Sequence, residues 1–224
     1  MASINGITIK NINQFLGHEG EPVFQGDLCL EGKKIGFWSQ DTWGGPDRFH
    51  MEEPYSEKLL NALVVEKNPD KAYEIGSPDD PIKIEYSLEI LLSDCLGLIE
   101  DEKAYQDAVK EGYGGILIAT DGYHQVTWQL PKSYTELSTD ALLEKIGPQL
   151  ESAKQSFWKE NDHTKHKVMI YRSPADFIVG EPIQLEDITI KKGLNKRIAN
   201  AKAGEKSEKA PNATQINKET EPER

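Results

Sequence analysis

The chain has little cysteine: two residues in 224, at positions 29 and 95. Both lie in apolar surroundings, DLCLEG and LLSDCLGL. That placement predicts two buried free thiols in a reducing compartment rather than a bridge, and a chain of this length can build a core without staples. Long apolar runs are missing as well. Nowhere do 18 uncharged apolar residues follow one another, and the opening MASINGITIK has no cationic start followed by an apolar stretch. Neither a membrane span nor a leader is expected, which points to the cytoplasm.

The spacings that mark reaction centres are missing too. There is no HExxH, CxxC or DxD, and His163 with His166, His18 with Glu19, and His50 with Glu52 and Glu53 form no recognised ligand set. No metal and no cofactor are expected. No serine stands in a G-x-S-x-G elbow, and neither cysteine has basic neighbours that would lower its pKa. Gly112-Tyr113-Gly114-Gly115 precedes a strand, whereas a phosphate cradle follows one and opens a helix; these glycines read as a helix stop.

Acid is abundant. The formal charge is -12, and it is divided unevenly: residues 1–190 carry 33 acidic and 17 basic residues, while 191–224 carry five acidic and nine basic ones. The stretch 47–102 alone holds fifteen carboxylates against five cations. Such a surface repels phosphates, so no direct nucleic-acid binding by the body is expected.

Periodicity sets out the fold. Ile7, Ile9, Ile12 and Phe15 alternate with one slip, which predicts a strand with a bulge near Asn11. VFQGDLCLEG and KKIGFWS follow, joined through Glu31-Gly32-Lys33, and complete a three-stranded antiparallel meander. Leu59, Leu60, Leu63 and Val64 then mark a helix that Ser56 caps and Pro69 ends. Residues 70–82, with two prolines, a glycine and four acids, read as a connector between a first region (1–69) and a second (83–191), with one continuous domain of both as the alternative. The strongest helical signal spans 87–99, on Leu88, Leu91, Leu92, Cys95, Leu96 and Ile99, and EDEKAYQDAVKEG continues it to Gly112. GGILIAT, Asp121-Gly122 and YHQVTWQLP predict a hairpin. STDALLEKIGPQLESAKQSFW predicts a helix kinked or split at Gly147-Pro148, and HKVMIYRS a last strand. The fold class is α+β, with helix, hairpin, helix and strand packed as helices on an antiparallel sheet after the meander. From 192 on there is no aromatic residue, and 192–224 reads as a disordered tail.

The segment SQDTWGGPDRFH, 39–50, concentrates the candidate chemistry. Trp38, Trp128 and Trp158 sit at strand or helix spacing and read as core residues. Trp43 lies in a loop beside Arg48, the pairing most enriched at interface hot spots. Two orientations fit it, an inward plug over Gly44-Gly45 and an outward anchor. Trp43, Asp47, Arg48 and His50 are therefore binding candidates. With them stand Glu85, Glu89, Glu100, Asp101, Glu102, Asp107 and Glu111, placed on helices beside the apolar stripe, where a dense row of acids can imitate a phosphate array.

The run FLGHEGEPVFQGDLCLEGKKIGFWSQDTWGGPDRF, 15–49, resembles the N-terminal segment of small accessory proteins of bacterial phages and conjugative elements. In those a meander of the form f.GhEG through l.l.GKKiG ends in D.wGGp. The likeness covers about a sixth of the chain and transfers no catalytic residue. It implies a setting, the cytoplasm of a bacterial host, and a mode of action, binding to host proteins, including inhibition of defence systems such as CRISPR effectors and restriction enzymes. The expected function is thus an acidic protein-binding factor of a mobile element that inhibits or modulates a host nucleic-acid-handling enzyme. Two other classes stand beside it. One is a hydrolase using His18, Asp41, His50 or His124, which requires two of these side chains to meet. The other is a structural or assembly protein tethered by its tail.

Overall fold

The computed structural model describes residues 1–77, 80–120, 125–157, 167–184 and 188, with the backbone alone for 73–77, 80–81 and 153–157. Met1–Gln184 forms one compact unit, and of the second, Leu185–Arg224, Ile188 alone is described. The tail expected over 192–224 lies outside the described residues.

The meander is the centre of a larger sheet. Strands β1 (Ser3–Ile4), β2 (Ile7–Leu16), β3 (Pro22–Leu30), β4 (Lys33–Ser39), β5 (Arg48–Met51) and β11 (Ile178–Val179) stand in the order β11-β1-β2-β3-β4-β5. All neighbours are antiparallel except β1 and β11, which are parallel. The slip in the hydrophobic alternation is a bulge, as predicted. The β2–β3 register shifts between Lys10 and Asn13, and Asn11 takes φ 51°. Opposite it Gly26 is required by contact, because a Cβ there would lie 2.6 Å from Ile9 Cγ2 and 2.8 Å from the Lys10 carbonyl oxygen. Asp27 holds the bulge from the partner strand: its carboxylate accepts from Lys34 Nζ at 2.6 Å and from Asn11 Nδ2 at 2.7 Å. These bonds hold its pKa below the usual carboxylate value, the Lys34 bond most. The β3–β4 turn is Glu31-Gly32, both at positive φ (50° and 78°), the geometry whose twist matches a two-residue hairpin. Asn5-Gly6, at φ 52° and 77°, makes the same turn between β1 and β2.

Helix α1 (Glu57–Lys67) buries Leu59, Leu60, Leu63 and Val64, and Ser56 caps it by accepting from the Leu59 amide. The two helical runs at 87–111 are one helix, α2 (Leu88–Lys110). Its buried stripe is Leu88, Leu91, Leu92, Cys95, Leu98, Glu102, Tyr105 and Ala108, so Leu98 takes the place expected for Leu96 and Ile99, which are half-buried. Helix α2 packs against β1 and β2 of the large sheet and against β8 (Gly115–Thr120) of a second sheet. That sheet has the order β10-β8-β9, with β9 at Gln125–Leu130 and β10 at Lys167–Tyr171. Helix α3 (Thr139–Phe157) covers it, burying Leu142, Ile146 and Leu150 against Leu117, Ala119 and Leu130. Each such aliphatic side chain contributes roughly 2 kcal/mol of hydrophobic stabilisation.

One expectation is corrected and one is narrowed. The connector at 70–82 is a hairpin, β6 (Ala72–Ser77) paired with β7 (Asp80–Glu85), in which Tyr73 opposes Ile84 and Ile75 opposes Ile82. The prolines and acids masked this short alternation. Of the two readings at Gly147-Pro148 the split is excluded, because α3 runs through Pro148; the stripe Leu142, Ile146 and Leu150 continues through the proline, and its burial offsets the one lost hydrogen bond. Strands β8 and β9 pair antiparallel as the expected hairpin, from Gly115↔Leu130 to Thr120↔Gln125. Asp121 and Gly122 lie outside the described residues.

Candidate binding surface around Trp43

The connection between β4 and β5 is built around Asp41. One carboxylate oxygen accepts from the backbone amides of Trp43 and Gly45, both at 3.1 Å, and the other accepts from Arg48 Nη2 at 2.7 Å. Gly44, at φ 73°, allows the chain to turn back between those amides. The two amides, Gly45 first, and then the Arg48 guanidinium hold the Asp41 pKa below the usual carboxylate value. Asp41 is thus a fixed anion that shapes the loop, with both carboxylate oxygens engaged.

A second loop supports the first. Between β2 and β3 the chain closes through the Gly17 amide donating to the Glu21 carbonyl at 2.8 Å, and the His18 amide donates to the Thr42 carbonyl at 2.9 Å. His18 is thereby set against Trp43: the rings stack with centroids 3.8 Å apart and planes 23° from parallel. One indole face is covered, yet Trp43 remains 72% exposed. Trp43 points outward, and the inward plug is excluded.

Beneath the loop, Trp38 is fully buried and donates its indole N–H to Asp47 at 2.6 Å, while the Asp47 amide donates to Glu89 in the first turn of α2 at 3.1 Å. Sheet, loop and helix are pinned together there. Burial pushes the Asp47 pKa up; the Trp38 bond opposes that rise and the neighbouring Glu89 charge adds to it. The sign follows directly. A carboxyl whose folded pKa is raised binds its proton more readily folded than unfolded, so its ionisation subtracts from stability above the folded pKa and the loss vanishes below the unfolded one. Asp47→Asn keeps an acceptor for Trp38 and removes the charge. The variant is expected to match or exceed the parent in urea midpoint at pH 7, with any excess shrinking to nothing below about pH 4. A lower midpoint at pH 7 with no pH trend would contradict this.

The other candidates divide. Arg48 and His50 lie on edge strand β5 rather than in the loop, both exposed. Glu85 lies on β7, not on a helix. Glu102 is a core residue that accepts from the Ala2 amide at 2.6 Å, and Asp101 accepts from the Tyr171 hydroxyl at 2.9 Å, with its pKa raised chiefly by burial. Both expectations placed acids beside the apolar stripe without seeing that the stripe, at these positions, meets a buried amide and a phenol. Glu89 and Glu100 remain exposed, Asp107 pairs with Lys110 at 2.9 Å, and Glu111 accepts from Gln129 at 2.7 Å. Even counting Asp94, successive exposed acids on α2 fall four to seven residues, about 6–10 Å, apart along the axis. Duplex DNA presents a charge every ~1.7 Å. The exposed α2 acids are thus spaced several times more widely along the axis than the charges of a duplex.

The pairing that a hydrolase needs is not formed among the described residues. Asp41 bonds Trp43, Gly45 and Arg48, and His18 meets Trp43 through its ring face. His50 stands on β5 opposite Phe37, and His124, like His163 and His166, lies outside the described residues. Both cysteines are buried and free; burial raises the Cys29 pKa and pushes the Cys95 thiol up to about 12, which removes either as a thiolate nucleophile. Among the described residues no group of three or more His, Cys, Asp or Glu is arranged to hold a metal ion, and no helix is long and apolar enough to cross a membrane.

No protein-family model, curated protein or solved structure matches this chain. The assignment of a role therefore rests on the geometry around Trp43 and on the charge of the body.

Sequence reasoning missed His18 as the support of Trp43. The two residues are 25 positions apart, and only the pairing of β2, β3 and β4 brings their loops together. The Trp38–Asp47–Glu89 link was equally out of reach, although a Trp on a predicted core strand implies a nearby acceptor for its N–H.

Proposed function

We propose that this protein acts by binding a protein partner through the Trp43 platform, and that the partner is a host nucleic-acid-handling or defence enzyme, which it inhibits or modulates as a mobile-element factor. The observation that carries the reading is a tryptophan 72% exposed on a loop locked by Asp41, Arg48 and His18. An aromatic residue held ready in this way binds without first losing loop entropy, and tryptophan leads the residue types that dominate interface energetics. The partner class draws on two further supports: the excess of 33 acidic over 17 basic residues in 1–190, which suits a basic surface and steers its approach, and the resemblance of 15–49 to phage and conjugative-element accessory proteins.

The test is parallel capture from bacterial lysate on the immobilised full chain and on its Trp43→Ala variant. The Trp43 side chain is largely exposed and stacks on His18, so the variant is expected to keep its stability within about 0.5 kcal/mol of the parent. A nucleic-acid enzyme retained by the parent and lost by the variant is the expected result. Recovery of the same proteins on both, or of no nucleic-acid-associated protein, would sink the reading.

A further inference from the structure

The open face of Trp43 has a chemistry of its own. His18 covers one side of the indole at 3.8 Å, so a ligand meets the opposite side. The two loops that frame it, 17–21 and 40–47, carry Glu19, Glu21, Asp41 and Asp47, and Arg48 follows them as the first residue of β5. That cation is bound to Asp41 at 2.7 Å and is not offered to a ligand's π system. Glu19 is exposed beside His18, and its amide is held by Glu21 Oε2 at 2.8 Å, which fixes the position of its backbone. An exposed indole face attracts cations through its quadrupole, and surrounding carboxylates deepen the attraction and repel anions. A planar guanidinium fits best, because it stacks flat on the ring with its N–H edge turned to a carboxylate and is more weakly hydrated than the compact ammonium of lysine.

We propose that the free face of Trp43 receives an arginine side chain of the protein partner, stacked on the indole opposite His18, with Glu19 as the carboxylate nearest its N–H edge. This rests on the reading of Trp43 as the binding anchor and adds the chemistry of what it binds. Nucleic-acid-handling proteins carry arginine where they meet phosphate, so the same cation that would hold a phosphate is the one this platform takes.

The experiment uses the full chain labelled with nitrogen-15 and a synthetic ten-residue Gly/Ser peptide bearing two arginines, with counterparts in which lysine or glutamine replaces both. The Trp43 indole N–H signal, assigned by its loss in Trp43→Ala, is expected to shift on titration with the arginine peptide, several-fold less steeply with lysine, and not at all with glutamine. Glu19→Gln is expected to weaken the arginine response about fivefold. An unmoved indole signal, or equal shifts with the arginine and glutamine peptides, overturns the proposal. The two readings fail separately. If Trp43→Ala loses its protein partner while the arginine peptide leaves the indole unmoved, the anchor stands and the cation falls; if the variant keeps its partner, both fall.

Discussion

Trp38→Ala is expected to lower stability by about 3–5 kcal/mol, the range for removing a fully buried large aromatic side chain. Trp38 is 0% exposed on β4, at the register where β3 contributes Gly26 and β5 contributes Phe49. The indole is thus fully buried on the strand next to the β5 edge of the large sheet. Its N–H is also the donor that satisfies the half-buried Asp47 carboxylate at 2.6 Å. Alanine creates a cavity and leaves a carboxylate unbonded at once. Trp38→Phe separates the two effects: it keeps most of the volume and removes the donor, and should cost about 1–3 kcal/mol. Urea unfolding of the parent and both variants gives the order, with alanine lowest. An alanine variant within about 1 kcal/mol of the parent would mean that Trp38 is not the core residue described here.

The second large effect is expected at Asn5. Three pieces of chain converge on this buried residue. Its Nδ2 donates to the Glu181 carbonyl at 2.9 Å, and its Oδ1 accepts from Asn68, the C-cap residue of α1, at 2.9 Å. Its amide donates to the Val179 carbonyl at 2.8 Å, and its carbonyl accepts from the Ile183 amide at 2.9 Å. It also sits at φ 52°, where an alanine costs about 1–2 kcal/mol more than a residue tolerant of the left-handed region. Asn5→Ala removes the bonds to the Glu181 carbonyl and to Asn68, whose Nδ2 keeps its bond to the Val64 carbonyl at 2.8 Å, and adds that strain, for an expected loss of about 2–4 kcal/mol. Asn5→Gly relieves the strain but not the lost bonds and should fall between the parent and alanine. If glycine and alanine prove equal, backbone strain is not part of the cost; if both match the parent, the side-chain bonds contribute nothing.

Much of this architecture is legible in the sequence because local chemistry and global packing agree. The bulge near Asn11, the glycine turn at Glu31-Gly32, the Ser56 cap and the stripe of α2 each follow from residues close together in the chain. The missed elements have equally local reasons. Asn5-Gly6 is a strong hairpin signal, but β1 has only two residues, too few to show alternation. In 70–85 the alternation of Tyr73, Ile75, Ile82 and Ile84 is interrupted by Ser77-Pro78-Asp79-Asp80-Pro81, and composition outweighed period. The parallel strand β11 could not be foreseen from Ile178-Val179, since its partner β1 lies about 175 residues earlier.

The site was legible in part. That Trp43 is a loop residue on a rigid sheet follows from the pattern of the meander and from Gly44-Gly45-Pro46. Its orientation does not, because it depends on His18 stacking from a different turn and on Asp41 gathering two amides of its own loop. The acids of α2 show the reverse case. Helical periodicity located the helix, yet charge alone did not distinguish an exposed Glu100 from a buried Glu102 that closes on the Ala2 amide. A row of seven carboxylates in sequence becomes a scatter of separate ones in space.

The central claim is that Trp43 is the anchor by which this chain holds its partner. The most direct measurement is the affinity of the captured partner for the parent, for Trp43→Ala and for His18→Ala, with circular dichroism of all three unchanged. Loss of a hot-spot tryptophan predicts an affinity weaker by roughly 30-fold or more for Trp43→Ala, and a smaller loss for His18→Ala, which leaves the indole in place without its support. Affinity equal to the parent in Trp43→Ala, with the fold intact, would contradict the claim.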